Sequence, residues 1–225
     1  MRLDQGITRV PRPMDPARGA DAVGAVTELP AALAPLIAGA AGSSPYLAGL
    51  IEKEAGWLCD AVQDPKDATK TEIARAAVTA PDQLRDVLRQ SKRRIALMTA
   101  LADLGGAWTL AQVTETLSNF ADQACAAALR AGLSTQIRRG KVPGMDEAAL
   151  TDAGGMVVLA MGKMGAGELN YSSDIDLICL FDETRFDPDD FHDARAAFVR
   201  ATREMCAILS DLTAQGYVFR TDLRL

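Results

Sequence analysis

Asp174 and Asp176 stand two residues apart at the head of an apolar run, "SSDIDLICLFD". Acidic residues are poor strand formers, yet the run after them reads as a strand. Residues two apart on a strand point to one face, with Cα atoms roughly 6.5–7 Å apart. Both carboxylates would then share one site. At about 5 Å and an effective dielectric near 20, their repulsion is roughly 3 kcal/mol. A proton or a cation must relieve it. Asp222, in the later segment "YVFRTDLRL", supplies a third acid if that segment lies beside the first strand. Three carboxylates form a hard-oxygen set suited to Mg²⁺, which bridges phosphate oxygens during attack at phosphorus.

The residues before the acid pair suit the other half of such a site. "MGKMGAGELNYSS" holds Gly162, Gly165 and Gly167, which let backbone approach a ligand and turn N–H groups toward phosphate. Lys163 adds positive charge, and Ser172 and Ser173 add hydroxyl donors. The spacing is wrong for a Walker A loop, because no Ser or Thr follows the lysine. It is also wrong for the dinucleotide fingerprint, because Asn170 stands where the third glycine belongs and a strand follows at once. Glu168 and Arg220 flank the acids and serve equally well as fold-holding polar residues.

These motifs must be held by the rest of the chain. "GMVVLAMG" (Gly155–Gly162) reads as a buried strand and Asp174–Asp182 as the next. A long amphipathic helix follows, with Phe191, Phe198, Met205, Leu209 and Leu212 inward and Gly216 at its close. A third strand then carries Asp222. Upstream, residues 29–150 read as a helical region. Leu84, Leu88, Ile95, Met98 and Leu101 line one face of a helix. Val113, Leu117, Phe120, Ala124 and Leu129 line another, with Gly132 as its stop. "SPYLAGLIEKEAGWLCDAV" reads as a further helix. Residues 1–28, rich in Pro, Gly, Arg and Asp, read as loosely ordered. The division expected is therefore 1–28, 29–150 and 151–225, in an α+β chain.

Composition narrows the function class. The chain has 225 residues, is 48% hydrophobic and carries a formal charge of −6. That describes a globular chain with length for a core and argues against coating nucleic acid. The four cysteines show no CxxC spacing, and His192 is the single histidine, so a zinc cluster is not expected. The cysteines, Trp57 and Trp108 read as packing residues in a reducing cytoplasm. No signal-like or membrane-spanning run of apolar residues is seen. "RQSKRR" (Arg89–Arg94) reads as a solvated helix face.

The glycine turn, the acid pair and the later acid resemble the nucleotidyltransferase superfamily of DNA polymerase β. Lys163 departs from the small residue usual at its position. Within that superfamily, "GKMGAGELNYSSDIDL" and "GYVFRTDLRL" resemble the bifunctional glutamine synthetase adenylyltransferase/adenylyl-removing enzymes, and the likeness runs from about Leu84 to Leu225. The resemblance implies a helical region followed by a polymerase-β-like α/β unit, incomplete at its C-terminus. It implies Mg²⁺ at Asp174, Asp176 and Asp222, with adenine nucleotide and phosphate at Gly162, Lys163, Gly165, Gly167, Ser172 and Ser173. It also implies glutamine synthetase as protein substrate, a PII signalling protein as candidate regulator, and a cytoplasmic role in nitrogen metabolism. The family's N-terminal unit removes AMP from a glutamine synthetase tyrosine by phosphorolysis, and its C-terminal unit attaches AMP from ATP. The motif's distance from Met1 matches the removing unit. The alternatives are an enzyme like the PII-protein uridylyltransferase, or a non-catalytic binding module.

Overall fold

The computed structural model describes residues 1–223. Arg224 and Leu225, the end of the expected third strand, lie outside the described residues. The chain forms two compact units, one of residues 1–75 and 90–117, the other of residues 76–89 and 118–225. The units do not divide at the expected boundaries after residues 28 and 150. The chain passes between the units within its helices instead.

The first unit is helical. It holds α1 (Leu3–Gly6), α2 (Pro16–Gly24), α3 (Ala34–Ser43), α4 (Pro45–Lys53), α5 (Ala55–Ala61) and most of α6 (Pro65–Val78). It also holds the later part of α7 (Leu84–Leu104) and the start of α8 (Leu110–Arg138). The reading of residues 1–28 as loosely ordered is corrected here. Pro16 opens α2, and the Asp15 side chain accepts from the Arg18 N–H as its cap. Leu3, Ala22 and Val26 are buried. The helix expected around Tyr46 and Trp57 is two helices meeting at Glu54, and Tyr46 is exposed.

Glu54 also explains why "RQSKRR" is not a solvated face. Glu54 and Glu72 are buried. Glu54 accepts from Arg93 at 2.8 Å and from Arg94 at 2.9 Å, while Glu72 accepts from Arg94 at 2.7 Å and Ser91 at 2.8 Å. A buried carboxylate is tolerated only when paired and hydrogen-bonded.

The second unit holds the start of α7, the rest of α8, then β1 (Met156–Ala160), α9 (Gly162–Gly165), β2 (Ile175–Phe181), α10 (Phe191–Ser210) and β3 (Thr221–Leu223). The sheet order is β1-β2-β3. β1 runs antiparallel to β2, with Val157 opposite Leu180 and Leu159 opposite Ile178. β3 runs parallel to β2, so α10 is the crossover that parallel pairing requires. Odd-numbered residues of β2 face α10: Ile175 and Leu177 are buried, and Phe181 stacks on Phe198 with centroids 4.7 Å apart. The opposite face is open. Val157, Leu159 and Leu180 are 52%, 44% and 52% exposed. β1 is thus an edge strand with one open face, not the buried strand its composition suggests.

Helix α8 packs behind α10. Gly132 does not stop it. A Cβ there would stand 2.6 Å from the Ala201 carbonyl oxygen, so this glycine permits a close helix crossing. The helix ends at Arg138, ahead of Gly140 with φ +63°. Helix α10 ends at Ser210, earlier than expected, and Leu212 lies beyond it at 79% exposed. Two arginines from α7 hold its end. Arg85 donates to the Ala207 carbonyl at 3.0 Å. Arg89, fully buried, donates to the carbonyls of Ile208 at 3.3 Å, Asp211 at 2.5 Å and Gly216 at 2.8 Å. The last carbonyls of a helix lack intrahelical partners, and cations are favourable there. This clamp fixes the connector that leads to β3 and Asp222.

Candidate nucleotidyl-transfer site

Asp176 lies in β2 and Asp222 in β3, and the parallel register sets them directly opposite one another. Both are even-numbered positions on the face turned away from α10. The strand carrying the third acid therefore does lie beside the strand carrying the pair. The Asp176 carbonyl accepts from the Met161 N–H at 2.9 Å, which brings the glycine turn to the same end of the sheet. Gly162 has φ +58°, and a Cβ there would stand 3.4 Å from Asp176 Oδ2. Its backbone conformation is the reason for a glycine at this position.

The turn spends most of its own hydrogen bonds. The N–H groups of Gly165, Ala166, Gly167 and Glu168 donate to carbonyls of residues 161–164, and that of Leu169 donates to Ser118 Oγ at 3.1 Å. Groups so engaged cannot also grip an anion, which shifts any backbone contact toward Gly162 and Lys163. Gly165 has a second reason for its type. A Cβ there would stand 2.3 Å from the Ala160 carbonyl oxygen, so the close approach is to the chain's own strand. Gly167 has φ +71° with open space around it. Lys163 and Ser172 are exposed, and Ser173 Oγ is hydrogen-bonded to Asn170 Oδ1.

Asp174 precedes β2 by one residue. Its carboxylate is engaged by Arg220, whose Nε donates to Asp174 Oδ1 at 2.5 Å. Arg220 also donates through Nη2 to the Ser172 carbonyl at 3.3 Å. The hydrogen bond and charge of Asp174 hold the Arg220 guanidinium further toward its charged form. The repulsion expected between paired acids is thus relieved at Asp174 by an arginine. Among the described residues no group of three His, Cys, Asp or Glu side chains is gathered closely enough to hold a metal ion.

Several positioning residues escaped the sequence reading. Arg89 was hidden in a charge run, Arg85 one turn ahead of it, and Ser118 in a helix face. Arg220, named beside the acids from the sequence, stands two residues from Asp222 in "RTD", a spacing that shares one face of an extended segment.

Comparison with known proteins settles the family. The family model described as glutamate-ammonia ligase adenylyltransferase matches residues 32–225. The chain belongs to that family. Glutamate-ammonia ligase is glutamine synthetase. A bifunctional glutamine synthetase adenylyltransferase/adenylyl-removing enzyme of Bradyrhizobium diazoefficiens is 42% identical over 198 residues, 84% of this chain and 20% of that protein. The enzyme of the same name from Caulobacter vibrioides is 38% identical over 213 residues, 92% of this chain and 21% of the relative. That from Agrobacterium fabrum is 38% identical over 214 residues, covering 89% and 22%. The chain therefore spans about a fifth of the length of these family members. An α+β organisation, helices first and a small mixed sheet after them, is what the family resemblance implied. No helix among the described residues is long and apolar enough to cross a membrane.

Proposed function

We propose that this chain carries an adenylyl-transfer centre acting on glutamine synthetase, and that its reaction is phosphorolytic removal of AMP from a tyrosine. The observation that carries this reading is the pairing of Asp176 with Asp222 on adjacent parallel strands, with Gly162 against the Asp176 carboxylate. The relatives' names supply the protein substrate, and the acid pattern supplies the chemistry.

The donor chemistry, hard carboxylate oxygen, suits Mg²⁺, although the three side chains are not gathered around one point in this structure. Asp176 and Asp222 offer hard carboxylate oxygens from neighbouring strands, and Asp174 joins them if its carboxylate leaves Arg220. Bound there, the ion would neutralise phosphate oxygens and orient an in-line displacement. Everything else falls to the chain. Gly162 and Lys163 receive the adenylyl phosphate through backbone N–H and ammonium charge. Ser172 and Ser173 line its approach. Inorganic phosphate attacks the α-phosphorus of the tyrosyl-AMP ester. A new P–O–P bond forms, the P–O bond to tyrosine breaks, and the phenolate takes a proton to leave ADP and free tyrosine. Phosphate is anionic near neutral pH, so this direction needs no strong general base. In the adding direction a tyrosine hydroxyl, with pKa about 10, needs one, and Asp222 is the candidate we assign.

The test is ADP release from adenylylated glutamine synthetase on addition of inorganic phosphate and Mg²⁺ to the purified chain. Calorimetry of ADP with and without Mg²⁺ runs in parallel. Metal-dependent ADP binding that disappears in Asp176→Asn supports the reading. Equal binding by wild type and Asp176→Asn overturns it.

A further inference from the structure

The contact between Arg220 and Asp174 is not accounted for by the chemistry above. It blocks one of the acids that chemistry uses. Arg220 is tied by its backbone to the site, because its carbonyl accepts from the Ile175 N–H at 3.0 Å. The residue stays at the head of the β2–β3 ladder, and its side chain alone is free to rearrange. The ion pair is open to water, with side chains 60% and 54% exposed. Exposed pairs are weak and exchange readily. An arginine held beside three acids by its backbone, yet only weakly by its side chain, has two partners of opposite kind within reach. One is the carboxylate it now holds. The other is a phosphate, for which the forked guanidinium is the best-matched side chain.

Resting on the adenylyl-transfer reading, we infer that Arg220 is an exchangeable internal counter-ion. It neutralises Asp174 until a divalent cation takes that carboxylate, and the released guanidinium then binds phosphate oxygens of the adenine nucleotide. Toward the cation Arg220 is a competitor. Toward the nucleotide it is a ligand. Removing it must therefore move the two affinities in opposite directions, which an arginine that merely holds the fold would not do.

The experiment uses the purified 225-residue chain, with Mn²⁺ binding followed by electron paramagnetic resonance and ADP binding by calorimetry at saturating Mg²⁺. Arg220→Gln is expected to bind Mn²⁺ about two- to fivefold more tightly than wild type. Its ADP affinity is expected to fall about tenfold. Unchanged or weaker Mn²⁺ binding by a folded Arg220→Gln protein overturns the inference, as does unchanged ADP affinity. If Arg220→Gln does not fold, Arg220→Lys decides. It keeps the charge but loses the fork, so weaker ADP binding at unchanged Mn²⁺ affinity supports the inference and no change in either overturns it. A wild type whose Mn²⁺ binding is lost in Asp176→Asn, but is matched by Arg220→Gln, sinks this inference alone. A folded chain that binds no Mn²⁺ in any form sinks the adenylyl-transfer reading with it.

Discussion

The two units use the same pair of side-chain types, carboxylate and guanidinium, to opposite ends. In the helical unit, Glu54 is 4% exposed and is gripped by Arg93 and Arg94, with Glu72 and Ser91 completing the network. At the sheet, Asp174 and Arg220 pair in open water beside Asp176 and Asp222. Burial makes the difference. A buried charge cannot lose its partner without remaining desolvated, so the network is locked. An exposed charge can trade its partner for water, a metal ion or phosphate at little cost. Charge placed in the interior is held by the fold, and charge at the open sheet face remains exposed to water.

The strongest way to break this comparison is Glu54→Ala, which removes the carboxylate that Arg93 and Arg94 share. Denaturant unfolding should show a loss of about 3–5 kcal/mol. A loss under 1 kcal/mol would mean that the network is no more locked than a surface pair. Asp176→Asn tests the other side. Phosphate-dependent ADP release should fall by about two to three orders of magnitude, while the melting temperature stays near that of wild type. A large drop in stability with activity retained would reverse the roles assigned to the two regions.

Gly132→Val sharpens the comparison, since it perturbs the support of the sheet without touching any charge. The added side chain meets the Ala201 backbone, and unfolding should register a loss of about 1–3 kcal/mol. Metal affinity per folded molecule should be unchanged.

The smallest effect concerns pH. Arg185 bonds Asp152 at 2.6 Å and contacts Asp182 at 3.4 Å. The Arg185 hydrogen bond holds the Asp152 carboxyl below its ordinary range. Hydrogen bonds from Thr184, side chain and backbone, then from Arg185, do the same for Asp182. A carboxylate whose folded pKa is depressed stabilises the fold above its ordinary value and loses that contribution as pH falls through the folded value. Stability should thus drop on acidification below about pH 4, and Arg185→Gln should flatten that limb slightly. A pH profile identical to wild type would show that these exposed pairs contribute nothing.

Much of the sheet's arrangement was legible beforehand, because strand spacing is local. The acid pair, the glycine turn and the later acid lie in short segments, and the strand carrying Asp222 was expected beside the first; the register that sets Asp176 opposite Asp222 came from the structure. The apolar faces around Leu84, Leu88, Ile95, Met98 and Leu101 were equally plain, and all five are buried. What failed had a common cause. Gly132 looks like a stop from its type alone, and only the backbone of Ala201 against it shows that it is a crossing point. "RQSKRR" looks solvated because composition cannot show that Glu54 and Glu72 wait inside. "MVVLA" looks buried because Val and Leu suit a core, yet an edge position leaves Val157 and Leu159 open.

By itself, then, the sequence determined which residue types stand at helical and strand spacing, and hence the family and the acids of the candidate site. Only the tertiary structure decided which charges are buried and which are left exposed. Periodicity is a property of neighbours along the chain, whereas desolvation is set by what packs against a side chain from segments far away in sequence. Glu54 and Asp174 carry the same charge, and only what surrounds them distinguishes their roles.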